Sequence, residues 1–393
     1  MRTIRIYNGK LLTPAGVIPR GTVVVRGDRI ATVAEGELGV EGAVEIDAGG
    51  NYVAPGFIDM HVHGGGGYDF MDGTVEAFLG VAALHARYGT TAMLPTTLTC
   101  PVEKLFRLFD LYAEACRLNV AGARFLGWHL EGPYLSMAQR GAQDARYIRL
   151  PRPEEYRAIL ARSPDIRRWS AAPELEGALA LGRELRERGI LAAFAHTDAL
   201  YEETLAAFHN GYTLATHLYS CMNGVTRRNG ERRAGAIECA YLTEEMDVEI
   251  IADRVHVPDE LVRLVYRLKG TEHTALVTDA MRAAGMPEGE SILGSLEDGL
   301  PVVVKDGVAR LPDGSGFAGS VATADRLIRA VAGAGIPLED AVRMMTATPA
   351  RILGMTGRKG VLAAGADADI ILFNDQINVR LTMIGGRIVH ERV

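Results

Sequence analysis

The chain has 393 residues, of which 48% are apolar and 23% are charged, so it is long enough to bury a sizeable core. Its net charge of −7 comes without a long basic or acidic block, which excludes a nucleic-acid-binding stripe and a membrane-surface patch and favours a small-molecule partner. Its cysteines form no CxxC pair, and the N-terminus lacks the apolar run of a signal peptide. No stretch is long enough to span a membrane, so we expect a cytoplasmic protein without disulfides.

Both ends of the chain have the composition of short antiparallel strands. Residues 1–50 are rich in Val, Ile and Thr, with turn residues at Asn8-Gly9, Arg26-Gly27-Asp28 and Gly49-Gly50. A similar composition is found again from about residue 359. Residues 365–369 lead into the strand-like IILF, and residues 384–389 are typical of a closing hairpin. The two ends therefore predict one small β-sandwich domain, made of residues 1–52 and 358–393.

The middle of the chain, residues 53–357, alternates apolar strand candidates with helical patterns, as in a parallel sheet covered by helices. The strand candidates are centred on residues 53–59, 91–96, 125–130, 169–172, 191–196, 213–217, 248–252 and 275–279. Helical patterns between and after them span residues 102–119, 175–188, 202–209, 259–269 and 322–334. Eight parallel strands close into a barrel, so the predicted fold class is α/β, a TIM (β/α)8 barrel with a small β-sandwich domain.

Six side chains that can bind a metal follow these strands. In a TIM barrel the active site lies at the C-terminal rim, where the strands pass into loops. The first strand runs into His61 and His63, which point the same way because side chains alternate faces along a strand. The ends of the third, fifth, sixth and eighth strands carry Glu131, His196, His217 and Asp279. A single histidine is more simply explained as a core or surface residue, but six such groups on five strand ends favour one site.

The types of ligand indicate which metal and which role to expect. Imidazole and carboxylate groups together suit zinc or iron, with cobalt or manganese as alternatives. No thiolate accompanies them, so the pattern predicts a catalytic divalent metal, one or two ions per chain, rather than a structural zinc. His129 shares a strand face with Glu131 and is either a supporting neighbour of the ligands or a packed strand histidine. Structural or surface positions are expected for His85, His209, His273 and His390.

Longer motifs surround these candidate ligands. They are APGFIDMHVHG, HLEGPY, AHTDA, ATHLY, IADRVHV and VTDAMRAAG, and they span nearly the whole chain. In combination they resemble the N-acetylglucosamine-6-phosphate deacetylases of the amidohydrolase superfamily, whereas PGFID followed by HxH indicates only the superfamily. The resemblance implies removal of the acetyl group from N-acetylglucosamine 6-phosphate, which yields glucosamine 6-phosphate and acetate. It also implies a homodimer.

The resemblance assigns roles to the candidate ligands. Glu131, His196 and His217 match the core metal ligands of the family. Asp279 matches the catalytic aspartate, which takes a proton from the attacking water and returns it to the departing amine. The HxH found in members with two metals is present at residues 61 and 63, which favours a binuclear site.

The resemblance also implies substrate contacts. Gln143, which follows Ala142, stands where some single-metal members place a histidine that polarises the acyl oxygen, a task that a second cation can perform. His256 matches a residue that contacts the sugar. The loop FAGS matches a segment that lines the substrate pocket and supplies Phe317, Ala318 and Gly319.

The loop after the sixth strand departs from the family pattern. Many members read HLYNAM there, whereas this chain reads HLYSCM and has Ser220 and Cys221. In the longer basic segment that follows, Arg232 aligns best with an arginine that reaches a phosphate across the dimer interface in the family. Competing candidates are Arg227, Arg228 and Arg233. The segment is alternatively a solvated run of charges.

Two other functions stay open on the sequence alone. The same barrel can deacylate N-acetylgalactosamine 6-phosphate or an N-acyl amino acid, because the altered loop leaves the specificity undefined. Alternatively, the chain is a barrel that has lost catalysis and serves in assembly or regulation, although such barrels typically lack the metal ligands and this chain retains them. Metal content and dependence on a substrate phosphate distinguish these functions.

Overall fold

A single hydrogen-bonded sheet unites the two ends of the chain. The computed structural model describes residues 2–314 and 316–392, so residues 1, 315 and 393 of the predicted domains lie outside the described part. The strands of this terminal sheet are Thr3–Thr13, Gly16–Arg26, Arg29–Glu35, Val44–Asp47, Tyr52–Pro55, Ile370–Phe373, Val379–Ile384 and Arg387–Glu391. Their apolar side chains bury a core of their own, which confirms a sheet-rich terminal domain.

One predicted turn in this sheet is wrong. Asn8 and Gly9 lie inside the strand Thr3–Thr13, where the register shifts and Asn8 has a φ of 57°. They form an irregularity within the strand. Glycine is required at position 9 because a Cβ there would lie 2.5 Å from the Val53 side chain. The first hairpin instead turns between Thr13 and Gly16.

The predicted first barrel strand, residues 53–59, is two strands. Tyr52–Pro55 pairs with Ile370–Phe373 in the terminal sheet, and Phe57–Val62 starts the barrel. Gly56 lies between them, where a Cβ would be 2.1 Å from the Thr91 side chain. Residues 53–55 were therefore assigned to the wrong sheet, because an apolar run that is buried in two sheets looks continuous in sequence. The other predicted domain limits stay predictions.

Eight parallel strands form the barrel, as predicted. They are Phe57–Val62, Thr90–Thr97, Trp128–Glu131, Ile166–Ala171, Leu191–Phe194, Tyr212–Ala215, Asp247–Ile250 and Thr274–Leu276. A short strand, Arg124–Phe125, pairs beside the second of them. A parallel bridge between Val62 and Ala280, with a 2.9 Å hydrogen bond from Asp279 N to His61 O, joins the first strand to the chain that leaves the eighth.

Helices cover the outside of the barrel. They are Val75–Arg87, Val102–Leu118, Pro153–Arg162, Ala178–Glu187, Tyr201–His209, Ala236–Leu242, Asp259–Lys269, Ala324–Gly333, Leu338–Met344 and Ala347–Ile352. The five predicted helical segments are among these, with ends that differ by a few residues. Within residues 2–314 and 316–392, no helix combines the length and apolar character that crossing a membrane requires.

Smaller elements surround the rim of the barrel. Short 3-10 helices span Phe70–Asp72, Met137–Gln139 and Ala145–Tyr147. Two-stranded hairpins pair Gly64–Gly65 with Tyr68–Asp69, and Thr226–Arg228 with Glu231–Arg233. A four-stranded antiparallel sheet, not predicted from the sequence, comprises Gly289–Leu293, Leu300–Lys305, Val308–Arg310 and Phe317–Ser320. Ser320 N donates to Asp279 O at 2.8 Å, which attaches the last strand of this sheet to the rim.

His85 lies on the helix Val75–Arg87 and is a structural residue, as predicted. Its Nε2 donates to the Gly64 carbonyl at 2.9 Å, and its buried Nδ1 has no partner among the described residues. Burial, only partly offset by the bond to Gly64, lowers the pKa of His85 to about 4. The neutral ring therefore supports the turn that follows His63.

A histidine that stays neutral in the fold makes stability depend on pH. The unfolded chain binds more protons between the folded pKa of about 4 and the ordinary value of 6.5. The stabilisation is therefore complete above pH 6.5 and is lost, by up to about 3 kcal/mol, as the pH falls toward 4. We expect His85→Gln to flatten the pH dependence of the free energy of unfolding in urea. His209→Gln, at an exposed position, should keep the wild-type slope, and equal slopes in all three proteins would contradict the prediction.

Candidate metal centre and substrate pocket

Three predicted ligands meet where the first and eighth barrel strands end. His61 Nε2 lies 3.2 Å from His63 Nε2 and 3.4 Å from Asp279 Oδ1. His63 Nε2 lies 3.2 Å from the same Asp279 oxygen. All three side chains are buried, and together they offer the donors of one metal site, which we call group A.

The other three predicted ligands form a second group, group B, at the ends of the third, fifth and sixth strands. Glu131 Oε1 lies 3.3 Å from His196 Nε2 and 3.0 Å from His217 Nε2. The two imidazole nitrogens are 3.3 Å apart. A carboxylate and two histidines are the ligands of many catalytic metal sites, which keep one position open.

Glu131 connects the two groups. Its Oε1 lies 3.4 Å from His61 Nε2, and its Oε2 lies 3.3 Å from His63 Nε2. One carboxylate therefore contacts imidazoles of both groups, and all six predicted ligands form a single site at the rim of the barrel.

The backbone is strained at three of these ligands. His196, His217 and Asp279 have φ values of 46°, 32° and 47°, a region that residues other than glycine rarely adopt. The strands end at this point, and the reversed backbone directs the side chains inward over the rim. Strain of this kind persists where the surrounding structure holds it, and it is concentrated at functional sites.

The histidine rings are oriented to present lone pairs to the site. In three of them Nδ1 faces an oxygen that can only accept a hydrogen bond, so Nδ1 carries the proton and Nε2 has a free lone pair. These oxygens are Glu249 Oε1 for His61 (3.0 Å), the Thr96 carbonyl for His63 (3.3 Å) and the Gln139 carbonyl for His196 (2.9 Å). Lone pairs and carboxylates directed at one point repel each other unless a cation lies between them. The six residues therefore fit a divalent metal.

The pKa values show that the two carboxylates attract positive charge. Burial raises the pKa of Glu131, but the charge of His61 and hydrogen bonds with neighbouring histidines outweigh it and hold this pKa well below its usual range. Burial lowers the pKa of His61 and His63, but Glu131 and Asp279 raise these values to about 9 and about 10. The site thus binds positive charge strongly, either as protons or as a divalent cation.

A buried ion pair beneath His61 was not predicted from the sequence. Arg168 donates from Nη1 to Glu249 Oε2 at 2.6 Å and from Nη2 to Glu249 Oε1 at 2.8 Å, and both side chains are fully buried. The pair lies on the fourth and seventh barrel strands. The available signal was the presence of charged residues in two mostly apolar, mostly buried strands, IRRWSA with Arg168 and DVEI with Glu249.

His129 packs behind the site. Its Nε2 lies 2.7 Å from Ser170 Oγ, its Nδ1 lies 3.2 Å from Thr96 Oγ1, and its ring meets the His61 ring edge-on at 4.6 Å. Burial and the charge of Arg168 hold the pKa of His129 well below its usual value, so the ring is neutral. It is a supporting neighbour of His61.

A cavity of about 460 Å³ opens over the predicted metal ligands. Seven of the predicted substrate contacts line it, namely Ala142, Gln143, Ser220, Cys221, His256, Phe317 and Gly319. Ala318 is not among the residues that line the cavity, and its contact with the substrate stays a prediction. Its side chain is fully buried in an apolar cluster of the four-stranded sheet, because alternate residues of the strand Phe317–Ser320 face opposite sides.

Two of the lining residues have defined orientations. Gln143 Nε2 donates to Glu131 Oε2 at 2.8 Å, while Gln143 Oε1 accepts from Thr99 Oγ1 at 2.7 Å. His256 Nδ1 lies 2.9 Å from Asp253 Oδ2, and its ring packs 4.8 Å from the Phe317 ring. The first contact supports a metal ligand, and the second holds a ring at the cavity wall.

The basic segment forms the exposed hairpin Thr226–Arg228 and Glu231–Arg233. Arg232 lies directly opposite Arg227, an arrangement of like charges that is unfavourable unless an anion binds. Arg228 pairs with Asp198 at 3.2 Å, whereas Arg232 makes no side-chain hydrogen bond or ion pair within the described ranges. The hairpin does not line the cavity of its own chain.

Comparison with known proteins adds independent observations. The sequence model of the amidohydrolase family matches residues 52–389. The chain is 33% identical over 389 residues to an N-acetylglucosamine-6-phosphate deacetylase of Lysinibacillus sphaericus, covering 98% of this chain and 97% of that protein. It is 34% identical over 338 residues to an N-acetylgalactosamine-6-phosphate deacetylase of Escherichia coli O157:H7, covering 86% of this chain and 87% of that protein.

Two solved structures that resemble this chain are also deacetylases of this kind. A mutant N-acetyl-D-glucosamine-6-phosphate deacetylase of Mycobacterium smegmatis, in complex with N-acetyl-D-glucosamine-6-phosphate, has a TM-score of 0.90 and 33% identity, covering 99% of this chain and 100% of that chain. The N-acetylglucosamine-6-phosphate deacetylase of Pasteurella multocida has a TM-score of 0.91 and 28% identity, covering 98% and 99%. The similarity therefore extends over both the barrel and the terminal sheet.

Proposed function

Because this chain belongs to the amidohydrolase family, and within it to the N-acetylglucosamine-6-phosphate deacetylases, we propose that it hydrolyses N-acetylglucosamine 6-phosphate to glucosamine 6-phosphate and acetate. The observation that carries this proposal is the convergence of six metal-binding side chains beneath a cavity lined by the residues expected to contact this substrate. The enzyme acts in amino sugar catabolism, in the cytoplasm and as a homodimer.

Groups A and B would each hold one divalent cation. Zinc or iron fits the donor set best, and cobalt or manganese are alternatives. When bound, such ions supply Lewis acidity, which polarises the acetyl carbonyl and makes water more acidic. Within the chain, Gln143 holds Glu131 by a 2.8 Å hydrogen bond, and this contact keeps both carboxylate oxygens directed toward the histidines.

Asp279 carries the proton in this mechanism. Its carboxylate lines the cavity, and its backbone is held by hydrogen bonds to His61 and Ser320. Burial raises the pKa of Asp279, but positive charge at His61 and His63 outweighs it, and a divalent cation held by the neutral rings would act in the same direction. Asp279 is therefore a carboxylate that can accept a proton from the attacking water. The same proton then goes to the amine nitrogen, which is too basic to leave unprotonated.

The rest of the cavity positions the sugar. His256, oriented by Asp253, and Phe317 form one wall, and Ser220 and Cys221 lie on the loop after the sixth strand. The 6-phosphate is anchored by Arg232 of a second copy of the chain. Binding energy far from the reacting bond helps to hold the amide in place.

A substrate panel tests this function. The zinc-loaded chain is assayed with N-acetylglucosamine and N-acetylgalactosamine, each with and without a 6-phosphate, and with N-acetyl amino acids. We expect the highest kcat/KM for N-acetylglucosamine 6-phosphate, about 10²-fold or more above the same sugar without phosphate. Chelation should abolish turnover, and added zinc should restore it. Activity that survives exhaustive chelation would contradict the metal mechanism, and no turnover of any compound would favour the assembly or regulatory alternative.

A second candidate substrate is N-acetylgalactosamine 6-phosphate. It is favoured by the HLYSCM loop, in which Ser220 replaces the asparagine of many family members, and by the similarity to deacetylases named for that sugar. The ratio of kcat/KM for the two sugar phosphates decides between the two substrates.

The phosphate contact has its own test. Arg232→Ala is expected to raise KM for the phosphorylated sugar about 10- to 100-fold, because a charge-assisted hydrogen bond is lost, with little change in kcat. Arg227→Ala, on the opposite strand of the same hairpin, is the matched control. Should Arg227→Ala raise KM and Arg232→Ala leave it unchanged, the assignment to Arg232 is wrong. Equal KM values in both variants and the wild type would indicate a solvated run of charges.

A further inference from the structure

We propose that Glu249, held by Arg168, is a positioning residue for group A: it fixes the proton of His61 on Nδ1 and so keeps the Nε2 lone pair directed at the metal. This inference rests on the metal binding proposed in the preceding section and is independent of which sugar is the substrate. It assigns a role to the fully buried ion pair between Arg168 and Glu249.

The contact with His61 is direct. Glu249 Oε1 lies 3.0 Å from His61 Nδ1, and both side chains are fully buried. An ionised carboxylate only accepts hydrogen bonds, so the proton of a neutral His61 ring must be on Nδ1. The opposite ring nitrogen, Nε2, is the atom that lies 3.2 Å from His63 Nε2 and 3.4 Å from Asp279 Oδ1.

Arg168 keeps Glu249 ionised and in place. It binds both carboxylate oxygens, and Nη1 and Nη2 also donate to the Met60 carbonyl at 3.2 Å and to Thr216 Oγ1 at 2.8 Å. Two donors of a permanently charged guanidinium on one carboxylate favour its ionised form. Both residues sit on barrel strands, so His61 is oriented from a rigid base.

The four histidines differ in the group that faces Nδ1. In His63 of group A and His196 of group B, Nδ1 faces a backbone carbonyl. The buried Nδ1 of His217 in group B has no partner among the residues that the structure describes. Of the four candidate ligand histidines, His61 is the one whose Nδ1 faces a carboxylate, which makes its Nε2 the more basic donor. Glu249 Oε1 also accepts from the backbone N–H of His217 at 3.2 Å, a contact with the main chain of group B and not with a ring nitrogen. Loss of Glu249 should therefore weaken the cation of group A much more than that of group B.

A purely structural ion pair is the competing explanation, and the chain contains a matched control. Asp247, two residues earlier on the same strand, accepts from Arg351 at 2.5 Å and lies 2.8 Å from His273 Nδ1. This arginine–carboxylate–histidine arrangement repeats that of Arg168, Glu249 and His61 without a metal ligand. Removing the pair of Arg351 and Asp247 shows how the loss of an ion pair from this strand affects zinc binding when no candidate ligand is involved.

The experiment measures zinc binding to the full chain without substrate. The chain is equilibrated at a series of buffered free zinc concentrations, and bound zinc is measured by mass spectrometry. The step that His63→Ala removes identifies group A. The test protein is the double variant Arg168→Met with Glu249→Leu, which leaves neither buried charge unpaired. The control is Arg351→Met with Asp247→Leu, and Glu249→Gln restores a neutral acceptor at the same length.

We expect the test protein to bind the zinc of group A about 10- to 100-fold more weakly, while the zinc of group B changes less than about threefold. Glu249→Gln should give an intermediate loss, and the control should bind both ions as the wild type does. Equal losses at both groups, or no loss at either, would overturn the proposal. If the double variant does not fold, Glu249→Gln decides, and wild-type affinity for both zinc ions in that variant overturns the proposal.

The wild type itself separates this proposal from the proposed function. A wild-type chain that binds no zinc, iron, cobalt or manganese contradicts the proposed function. A chain that binds a single ion at every concentration overturns the role of Glu249 in a second site and leaves a single-metal deacetylase. A chain that binds two ions, unaffected by loss of Glu249, contradicts the positioning role alone.

Discussion

Replacing Asp279 by asparagine is expected to lower kcat for deacetylation about 10²- to 10⁴-fold while the fold and most of the bound metal are retained. The amide keeps an oxygen at the position of Oδ1, which lies 3.2 Å from His63 Nε2 and 3.4 Å from His61 Nε2. It cannot accept the proton of water or return one to the amine. The change therefore removes proton transfer and leaves a metal donor in place.

Three measurements on Asp279→Asn separate these effects: kcat, metal per chain and the midpoint of thermal unfolding. Asp375→Asn is a suitable control, since this carboxylate is exposed and pairs with Lys10 on the terminal sheet. A loss of both metal and turnover would make Asp279 mainly a ligand. Near-normal turnover in Asp279→Asn would rule out its role as the proton carrier.

The second large effect is expected for Glu131→Gln. This carboxylate contacts imidazoles of both metal groups at 3.0 to 3.4 Å, so its charge acts on every histidine of the site. Once this charge is removed, Asp279 is the remaining carboxylate among the six candidate ligands, while Glu249 contacts His61 only at Nδ1. We expect less than about one metal ion per chain at micromolar free zinc, and a loss in kcat of about 10³-fold or more.

Glu155→Gln is the control for this variant, because Glu155 is a partly buried carboxylate that accepts from Tyr134 Oη at 2.8 Å and lies outside the cavity. Metal content and kcat should stay at wild-type levels in the control. If Glu131→Gln retained two ions and wild-type kcat, the two groups would have to bind metal independently of Glu131. A loss of metal with intact unfolding behaviour is the expected combination.

Much of the site could be predicted from the sequence because its residues follow a local rule. His61 and His63 are two residues apart on one strand, and this spacing alone places them on the same face. Glu131, His196 and Asp279 directly follow apolar runs, and in a parallel barrel all such runs end at the same rim. Eight of those runs, alternating with helices, were sufficient to predict the barrel.

Some features could not be predicted because they depend on how strands pair in three dimensions. The run VAPGFI was assigned to one strand because both sheets bury it, and only the pairing of Tyr52–Pro55 with Ile370–Phe373 separates the two strands. The sheet that contains Phe317–Ser320 was missed because its strands are only three to six residues long and carry little periodic signal. The burial of the Ala318 side chain was not predicted, because the resemblance gives a loop while the direction of each side chain depends on the strand.

The chain order of apolar strands and the residues at their ends thus predicted the barrel, the six candidate ligands and the chemistry that these side chains favour. Which ligands pair with which was decided by the tertiary structure, since group A joins residues 61, 63 and 279 and group B joins residues 131, 196 and 217. The support of His61 by Glu249 and Arg168 was also decided there. These three residues lie on separate strands, and only closure of the barrel brings their side chains within hydrogen-bonding distance, so no spacing along the chain records the contact.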